Sequence, residues 1–471
     1  MERRAVGERA RAEHRLLSGW GGQPRSMAEV VRPRCAHEVV DLLAAAEREQ
    51  RGVLARGLGR SYGDAACNGG GIVLDMTGLD RLIGFDAESR CVTVEGGVSL
   101  DALISWAVPR GFFVPVTPGT RQVTVGGAVA ADVHGKNHHH DGALGSWVRR
   151  LRLATPAGEA CISPERDSAA FWATVGGMGL TGVVIEVTIE LIPIESSLVR
   201  VDTERPEGLE ECMRLMEEGD AGYRYSVAWL DCVRSGSSLG RAVLTRGDHA
   251  TLAELSAAPG RSGGGSDPLG YRPRQLATVP FQAPVRLPSL PAVRAFNELW
   301  YRRAPRRRSG ELQTIPAFFH PLDVLGEWHR LYGRAGFTQY QVVVPFGAEE
   351  VVREIIEVLL AGGFPSLFAV LKRFGGADPA PLSFPRPGWT LALDIPLGSA
   401  GLGAVLDRLD ERIAGAGGRV YFAKDGRLRP DLVGAMYPRL GEWRAVRDRL
   451  DPGRVLSSDL GRRLHLLEEA A

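Results

Sequence analysis

The stretch Arg56-Gly57-Leu58-Gly59-Arg60-Ser61-Tyr62-Gly63-Asp64 directly follows Val53-Leu54-Ala55, an apolar run typical of a short strand. Glycines placed after a strand let backbone N–H groups approach a diphosphate closely. The spacing G-x-G-x-x-x-G differs from the G-x-G-x-x-G of Rossmann dinucleotide-binding folds. Taken alone, the stretch indicates either a phosphate-binding loop or a plain turn.

Two further stretches rich in glycine and threonine follow. One runs from Thr117 to Ala128 (TPGTRQVTVGGA) and leads into His134-Gly135-Lys136-Asn137-His138-His139-His140-Asp141-Gly142. The other runs from Thr174 to Val184 (TVGGMGLTGVV). Strand-like residues separate the three loops. Because one nucleoside monophosphate would not need so many loops, they indicate a long, extended ligand that carries phosphate.

The composition is that of a soluble globular protein with two or three domains. The chain has 471 residues, 44% of them hydrophobic and 24% charged, with a net charge of +1. This balance gives no support to a nucleic-acid partner. No apolar run is long enough to span a membrane, and the segment 1–15 lacks the apolar core of a secretory signal. We therefore expect a cytoplasmic location, peripheral at the membrane.

Short strands, short helices and many glycines alternate up to about Pro193, which favours an α+β or α/β fold. The predicted helices cover residues 37–50, 100–110, 351–361 and 405–414. The predicted strands cover residues 53–55, 72–76, 91–95, 226–230, 241–245, 339–345 and 391–396. The segment 257–274 is poor in large apolar residues and predicts a mobile loop.

These motifs together resemble the FAD-linked oxidases of the vanillyl-alcohol oxidase / p-cresol methylhydroxylase type. The shared stretches are RGLGRSYGD, PGTRQVTVGGA, HGKNHH, FWATVGG with GLTG, WYR, HPLD, GEW, QYQ, PLSFP with PGW, AKD and AMYPR. They extend from about residue 15 to 465. The resemblance implies an α+β fold of two domains. A FAD-binding domain would comprise residues 7–195 and 418–468, and an antiparallel sheet in residues 196–417 would form the substrate domain.

The resemblance also implies which residues contact FAD. They are Arg56, Gly57, Leu58, Gly59, Arg60, Ser61, Tyr62, Gly63, Asp64, Ala65, Gly119, Thr124, Val125, Gly126, Gly127, His134, Gly135, Lys136, Asn137, Val184 and Tyr421. Many family members attach FAD covalently through a histidine in the first loop. Arg60 occupies that position here, so we expect a non-covalent FAD.

Within the family, the motifs match the members that oxidise the 2′-hydroxyl of a polyprenylphosphoryl-β-D-ribose to a 2′-keto sugar. The implied reaction is the first half of an epimerisation to the arabinose of cell-wall arabinan. An NAD(P)H-dependent keto-reductase would act on the product. Oxidation of an alcohol needs hydride transfer to the flavin and removal of the hydroxyl proton. A buried lysine can hold the hydroxyl or share its proton.

The resemblance assigns the catalytic roles to Lys424, Gln341, Lys372 and Tyr62. The expected substrate contacts are Lys136, Trp229, His320, Gln339, Gln341, Lys372, Ala392 and Lys424. Two positions depart from the family. Ala392 stands where well-studied members carry a cysteine, and Thr390 where they carry an asparagine. These departures keep open an alditol, aldonolactone or secondary-metabolite alcohol as substrate, and a non-catalytic flavoprotein is a further alternative.

Other features have simpler explanations. His138, His139 and His140 are adjacent and would alternate sides in extended backbone, so we expect loop packing and no metal site. The cluster Arg302, Arg303, Arg306, Arg307 and Arg308 is either a solvated surface or a contact to anionic lipid, supported by Leu287, Leu290 and Phe296. The six cysteines form no C-x-x-C pair, which indicates unreactive thiols in a reducing compartment.

Overall fold

The computed structural model describes residues 12–257, 267–284 and 289–468. The strands are β1 (Glu13–Ser18), β2 (Arg25–Val31), β3 (Val53–Arg56), β4 (Ile72–Asp75), β5 (Leu82–Asp86), β6 (Cys91–Glu95), β7 (Phe112–Phe113), β8 (Val148–Thr155), β9 (Gly158–Ile162), β10 (Val183–Glu190), β11 (Ile192–Pro193), β12 (Leu198–Glu204), β13 (Tyr225–Leu230), β14 (Ala242–His249), β15 (Ala277–Thr278), β16 (Arg307–Thr314), β17 (Leu325–Gly326), β18 (Phe337–Pro345), β19 (Ala369–Phe374), β20 (Gly388–Pro396) and β21 (Arg419–Val420).

The helices are α1 (Ala36–Arg48), α2 (Leu100–Ala107), α3 (Val125–Ala130), α4 (His138–Asp141), α5 (Ser168–Thr174), α6 (Leu209–Gly219), α7 (Leu252–Ala257), α8 (Leu290–Arg303), α9 (Ile315–Phe319), α10 (Glu349–Ala361), α11 (Leu402–Gly415), α12 (Val433–Met436), α13 (Leu440–Leu450) and α14 (Asp459–Arg463). The predicted helices and strands all lie within these elements or overlap them. Within the described ranges, no helix combines the length and the apolar character needed to span a bilayer.

Two small sheets carry the glycine loops. The first has the order β1-β2-β4-β3, with β2, β4 and β3 running parallel. Helix α1 packs on it through Val39, Leu43 and Ala46, which are completely buried. The second has the order β5-β6-β10-β8-β9 and is antiparallel. The loop 57–63 leaves the end of β3, as the sequence predicts for a phosphate-binding loop.

A large antiparallel sheet occupies the middle of the chain, in the order β16-β12-β14-β13-β19-β20-β18-β21. One face is apolar and packs against α6, α10 and α11 through a continuous buried cluster. Successive side chains of a strand point to opposite faces, so the alternate residues form a second face. That second face is turned toward the glycine loops. The α+β class with an antiparallel sheet is thereby confirmed.

After β21 the chain returns to the first part of the structure. The indole nitrogen of Trp443 in α13 donates to the carbonyl of Ala173 at 2.9 Å. The guanidinium of Arg463 in α14 forms two 2.8 Å bonds with the carboxylate of Asp64. These contacts fix α13 to α5 and α14 to the end of the first glycine loop.

The predicted loop 257–274 lies partly outside the described residues, which omit 258–266. Its second half is attached to the fold. The backbone N–H of Ser197 donates to the carbonyl of Pro268 at 2.8 Å, and its hydroxyl donates to the carbonyl of Gly270 at 2.8 Å. Leu269 and Tyr271 pack against the buried cluster around the second sheet.

Candidate active site

A cavity of about 830 Å³ lies between the glycine loops and the polar face of the large sheet. A row of four residues crosses adjacent strands of that sheet: Trp229 pairs with Val370, Val370 with Ala392, and Ala392 with Gln341. All four line the cavity. The opposite wall is formed by residues 56–62, 117–120 and 133–136.

The glycines of the first loop have no room for a side chain. A Cβ atom on Gly57 would lie 2.1 Å from Oγ1 of Thr124, and one on Gly59, whose φ is +64°, would lie 2.3 Å from the guanidinium of Arg56. Among the described residues, the backbone N–H groups of residues 57–61 find no acceptor. Successive free N–H groups beside a cavity form an anion-binding nest. This part of the cavity therefore suits a diphosphate.

The second glycine loop approaches the first through Thr124. Its Oγ1 accepts a bond from the N–H of Gly127 at 3.2 Å and caps α3. The N–H of Gly126 donates to the carbonyl of Gly96 at 2.8 Å, and a Cβ on Gly126 would come within 2.9 Å of that oxygen. Only glycine allows this close approach of the two backbones. The volume of the cavity and the two glycine loops on its wall fit FAD.

The two arginines of the first loop serve the protein itself. The guanidinium of Arg56 donates to the carbonyl of Ala66 at 2.7 Å and to that of Ser18 at 2.8 Å. The Nε of Arg60 donates to the carbonyl of Gln122 at 3.1 Å, and its guanidinium stacks 3.8 Å from the centre of the Trp20 ring. Burial lowers the pKa of Arg60. Arg60 therefore braces the two loops against each other and offers no imidazole for a covalent flavin bond.

Three lysines line the cavity, and burial lowers the pKa of each. The pKa of Lys136 falls to about 7, that of Lys372 to about 8 and that of Lys424 to about 7. Lys372 also lowers the pKa of the other two by charge repulsion. Lys136 donates to the carbonyl of Phe318 and lies 4.1 Å from the centre of its ring. An anionic ligand would stabilise the charged form of all three.

Lys424 stands over the ring of Tyr62, with its Nζ 3.9 Å from the ring centre. Asp394, which is buried, opposes the lowering of the Lys424 pKa by its negative charge. Burial in turn raises the pKa of Asp394 to about 7, against the opposing effects of a 2.6 Å bond from Gln339 and of Lys424. Two groups that can gain or lose a proton near neutrality thus influence each other beside the cavity.

Gln341 connects the sheet to the loop that carries His134. Its amide lies 2.8 Å from Nε2 of His134 and 3.2 Å from Oγ1 of Thr390. Burial and the nearby cation Lys372 lower the pKa of His134 well below its usual value, so the ring is neutral. Its buried Nδ1 has no partner among the described residues. Thr390, one of the two positions that depart from the family resemblance, thereby contacts the Gln341 amide.

Most of the residues predicted for the site line the cavity. They are Arg56, Gly57, Leu58, Gly59, Arg60, Ser61, Tyr62, Ala65, Gly119, Thr124, Gly126, Gly127, His134, Gly135, Lys136, Val184, Trp229, Gln339, Gln341, Lys372, Ala392, Tyr421 and Lys424. Others lie behind this wall, namely Gly63, Asp64, Val125, Asn137 and His320. A Cβ on Gly63 would meet the carbonyl of Asp425 at 1.8 Å. Nε2 of His320 lies 2.8 Å from Oγ1 of Thr117, and burial lowers the His320 pKa to about 3.

Asp394 and the carbonyl of Phe318 were not among the predicted site groups. Asp394 lies two residues after Ala392 on β20, so the alternation of a strand places both on one face. That alternation could have identified Asp394 as a residue of the polar face. The contact between Lys136 and Phe318 joins residues 182 positions apart, and no local pattern announces it.

The three adjacent histidines lie on one helical turn, α4, rather than in the extended backbone that we expected. His138 is buried 4.4 Å from the ring of Phe374, and Nε2 of His139 lies 2.9 Å from the carbonyl of Tyr223. His140 contacts Asp141 at 3.0 Å. Within the part of the chain that the structure describes, no group of histidine, cysteine and carboxylate side chains is placed to hold a metal.

The residues that form the cavity lie within regions of similarity to known proteins. Residues 27–162 match the FAD binding domain family. The chain is 45% identical over 96% of its length to decaprenylphosphoryl-beta-D-ribose oxidase of Mycolicibacterium smegmatis, 97% of which is covered. It is 26% identical over 95% of its length to L-gulono-1,4-lactone dehydrogenase of Mycobacterium tuberculosis, 99% of which is covered. It is 30% identical over 34% of its length to L-gulonolactone oxidase of Bos taurus, 36% of which is covered.

Proposed function

This chain belongs to the family of decaprenylphosphoryl-beta-D-ribose oxidase, and from that premise we propose that it is a FAD-dependent oxidoreductase that converts the 2′-hydroxyl of a polyprenylphosphoryl-β-D-ribose to a 2′-keto group. The observation that carries the proposal is the 45% identity over 96% of the chain. The similarity includes the large sheet as well as the glycine loops. A cavity with three lysines on its walls suits a substrate with a phosphate.

FAD, when bound, accepts the hydride that leaves the carbinol carbon. The free N–H groups of residues 57–61 and the close contact of Gly57 with Thr124 support diphosphate binding in the first loop. We propose that FAD is held without a covalent bond, since Arg60 replaces the histidine that would form one. Precipitation of the purified protein with acid should release the flavin absorbance into the supernatant. Absorbance that stays with the pellet would contradict the non-covalent model.

Lys424 is our candidate for the group that handles the hydroxyl proton. A base is effective when its pKa lies near the working pH, and burial lowers the pKa of Lys424 to about 7. Its neutral amine can accept a proton from the sugar hydroxyl. The aromatic face of Tyr62 at 3.9 Å then stabilises the cation that results.

Lys372 and Gln341 are proposed to hold the substrate. Lys372 pairs with Thr390 across the sheet, beside the row that contains Gln341 and Ala392. Among the described residues, the ammonium group of Lys372 has no hydrogen-bond partner and contacts no carboxylate. It is therefore available to the substrate phosphate. Gln341 is fixed by His134 and Thr390, and its amide oxygen is available to a sugar hydroxyl.

A second candidate substrate is an aldonolactone or alditol. It is favoured by the similarity to L-gulono-1,4-lactone dehydrogenase of M. tuberculosis and by Thr390 and Ala392, which alter the wall above the sugar. The identity to that protein is 26%, against 45% for the ribose oxidase. The lipid-linked ribose is therefore the stronger candidate.

The experiment that tests the function is an anaerobic titration of the oxidised holoenzyme with the two substrate classes. We expect a polyprenylphosphoryl ribose to bleach the visible absorbance of the flavin. L-Gulono-1,4-lactone and water-soluble alditols should leave it unchanged. Bleaching by the lactone or an alditol, with no response to the lipid, would replace the first candidate by the second.

The reaction implies partners. We propose that an NAD(P)H-dependent keto-reductase consumes the 2′-keto product, which completes an epimerisation toward cell-wall arabinan. We also propose that the protein works at the cytoplasmic side as a peripheral membrane protein, because its substrate has a prenyl chain. A coupled assay with such a reductase, and with oxygen or a quinone to reoxidise the reduced flavin, should convert the ribose lipid to the arabinose lipid with consumption of one NAD(P)H per sugar.

A further inference from the structure

Helix α8 presents apolar side chains to the outside. Phe296, Leu299 and Trp300 are 56%, 69% and 46% exposed. The rings of Phe296 and Trp300 stack with their centres 6.2 Å apart and an angle of 13° between their planes. Spacings of three and four residues place all three on one face of the helix. We refer to Phe296, Leu299 and Trp300 as the α8 ridge.

The opposite face of the helix is held by polar contacts. Asn297 is buried, and its amide donates to Asp231 at 2.8 Å. The guanidinium of Arg241 stacks 4.3 Å from the centre of the Tyr301 ring and donates to Glu298 at 2.7 Å. Val293 is buried on the same face, so polar contacts and one valine anchor the helix while its exposed apolar side chains face out. An outward apolar face that is firmly anchored marks a contact site.

The ridge continues into the cavity. Phe296 and Trp300 line the cavity wall as well as being exposed, so α8 stands at the mouth. Gln275 and Leu325 also line the cavity, at the place where the short strands β15 and β17 pair. Beside Gln275, Leu276 is 75% exposed. Exposed apolar surface therefore leads directly from the outside of the molecule to the site where the sugar is oxidised.

The surroundings of the ridge are strongly basic. Between residues 267 and 308, the described part of the chain contains two carboxylates, Asp267 and Glu298, against eight exposed arginines: Arg272, Arg274, Arg294, Arg302, Arg303, Arg306, Arg307 and Arg308. The whole chain has a net charge of only +1. Some of these arginines contact carboxylates, such as Arg302 with Glu298 at 2.5 Å and Arg306 with Glu207 at 3.9 Å. Arg307 and Arg308 likewise contact Glu204 at 3.8 Å and Glu311 at 3.4 Å. The other four, Arg272, Arg274, Arg294 and Arg303, contact no carboxylate among the described residues and leave the surface basic.

We propose that the α8 ridge and its arginines dock the enzyme on an anionic lipid bilayer, with the mouth of the cavity opening into the membrane. Aromatic and leucine side chains insert at the level of the headgroups, and arginines around them attract anionic lipid. The prenyl chain stays in the bilayer while the phosphoryl ribose enters past Phe296 and Trp300. This proposal rests on the proposed function for the identity of the lipid substrate, but the docking itself does not.

Vesicle flotation with the FAD-loaded protein tests the docking. We expect binding to vesicles of equimolar phosphatidylcholine and phosphatidylglycerol, and much less binding to pure phosphatidylcholine. Binding should weaken as salt is added, because screening reduces the attraction of exposed arginines to the anionic surface. Equal binding to both kinds of vesicle, or no binding to either, would overturn the proposal.

Two variants locate the contact. Leu299 is exposed and does not line the cavity, so Leu299→Glu should lower the partition constant by about 10-fold or more, as expected for the loss of one inserted leucine. Arg303→Glu with Arg306→Glu should lower it by roughly 20-fold or more, at about 5-fold for each arginine near an anionic surface. Matched controls are Ile83→Glu, at a residue 48% exposed on β5, and the double change Arg150→Glu with Arg408→Glu.

The control variants should bind like the wild type, and all variants should keep their FAD and melting temperature. A loss of binding as large in the controls as in the ridge variants would overturn the proposal. So would self-association of the wild type that Leu299→Glu abolishes while vesicle binding is unaffected, since the ridge would then contact a second copy.

A short-chain, water-soluble ribosyl phosphate separates this proposal from the proposed function. We expect it to reduce the flavin equally in the wild type and in Leu299→Glu, whereas ribose lipid embedded in vesicles should reduce only the wild type efficiently. If the soluble substrate fails to reduce the flavin while vesicle binding follows the variants, docking stands and the proposed function fails. If the soluble substrate works and Leu299→Glu reacts normally with embedded lipid, the docking proposal fails alone.

Discussion

The two walls of the cavity recognise charge by different means. The glycine loops offer backbone N–H groups, and their arginines Arg56 and Arg60 are engaged by protein carbonyls and the Trp20 ring. The sheet offers side chains, among them Lys372, whose pKa burial lowers to about 8. Backbone donors do not titrate, whereas a buried lysine loses its charge near neutrality. The difference teaches that the diphosphate contact of the first loop should be independent of pH, whereas contacts to the lysines, which include Lys136 beside the glycine loops with a pKa of about 7, should not.

The largest effect is expected for Lys424→Met, which removes the amine and keeps the length of the side chain. If Lys424 accepts the hydroxyl proton, flavin reduction by the ribose lipid should slow by about 100- to 10,000-fold, the usual contribution of a positioned base. Stopped-flow absorbance under anaerobic conditions measures this rate. The FAD content should be unchanged, because the glycine loops hold the cofactor.

The matched control is Lys372→Met, on the same wall. It should weaken substrate binding far more than it lowers the rate at saturation, because Lys372 holds the phosphate in our proposal. If both variants lose the same rate at saturating substrate, Lys424 cannot be distinguished as the base from Lys372 as the phosphate-binding residue. A normal rate in Lys424→Met would exclude the lysine as base.

A smaller effect is expected for Gly57→Ala in the first loop. The added Cβ would lie 2.1 Å from Oγ1 of Thr124, and overpacking of this kind costs about 1–3 kcal/mol. Since the displaced atoms form the diphosphate site, FAD affinity should fall by roughly 10- to 100-fold for that cost. Fluorescence titration of the apoprotein with FAD measures it.

Gly403→Ala is the control for that substitution. Gly403 is exposed on α11, does not line the cavity, and a Cβ there meets nothing within 4 Å. Its FAD affinity should stay within about 2-fold of the wild type, as for a substitution without a steric cause. Retained affinity in Gly57→Ala would show that the loop is not the tight cradle that its geometry indicates.

The activity should depend on pH through two lysines. In the free enzyme, kcat/KM should rise as the pH rises through about 7, where Lys424 becomes the neutral base. It should fall as the pH rises further through about 8, where Lys372 loses the charge that binds the phosphate. The result is a narrow bell-shaped profile that reports the pKa values of the free enzyme.

Lys372→Arg tests the assignment of the two limbs. Arginine stays charged throughout, so the falling limb should disappear while the rising limb near pH 7 remains. Loss of the rising limb instead would mean that Lys372 is the base and that Lys424 binds the phosphate. FAD affinity should vary less across the same range, because the first loop holds the diphosphate by backbone N–H groups and only Lys136 on that wall titrates near pH 7.

The same contrast explains how much the sequence could predict. The first wall follows from local pattern: a strand, then glycines, with Gly57 and Gly59 at the positions where a side chain would clash. The strands of the large sheet were also predictable, because alternation and β-branched residues mark them. Of the residues that the sheet brings together in one row, Trp229, Ala392 and Gln341 were identified through resemblance, since they come from different strands, and Val370 was not predicted.

What could not be predicted depends on long-range packing. The buried state that lowers the pKa of Lys424 arises from β20, the first glycine loop and the C-terminal segment together. Asp394 gains its influence from the same arrangement. The outward orientation of Leu299 and Trp300 was also not predicted, because large apolar residues on a helix ordinarily indicate its buried face, whereas Phe296 was among the residues expected to support a lipid contact.

The smallest effect is expected at Ala392, where well-studied relatives carry cysteine. Ala392 is 6% exposed and lines the cavity. Among the described residues, no cysteine does so, and the thiols at Cys67, Cys212 and Cys232 are buried with raised pKa values. Treatment of the wild type with iodoacetamide should therefore leave its activity unchanged.

Ala392→Cys adds one thiol to the sheet wall, and the hydride still passes to the flavin rather than to sulfur. The rate before treatment should stay within about 3-fold of the wild type, because the added volume is a single sulfur atom at a partly open wall. Activity should fall after iodoacetamide, since a carboxamidomethyl group at position 392 would fill the space beside Gln341. Protection by the ribose lipid would place the new thiol in the substrate site. Loss of wild-type activity on the same treatment would mean that a cysteine outside this wall controls the reaction, and the two walls would no longer account for it.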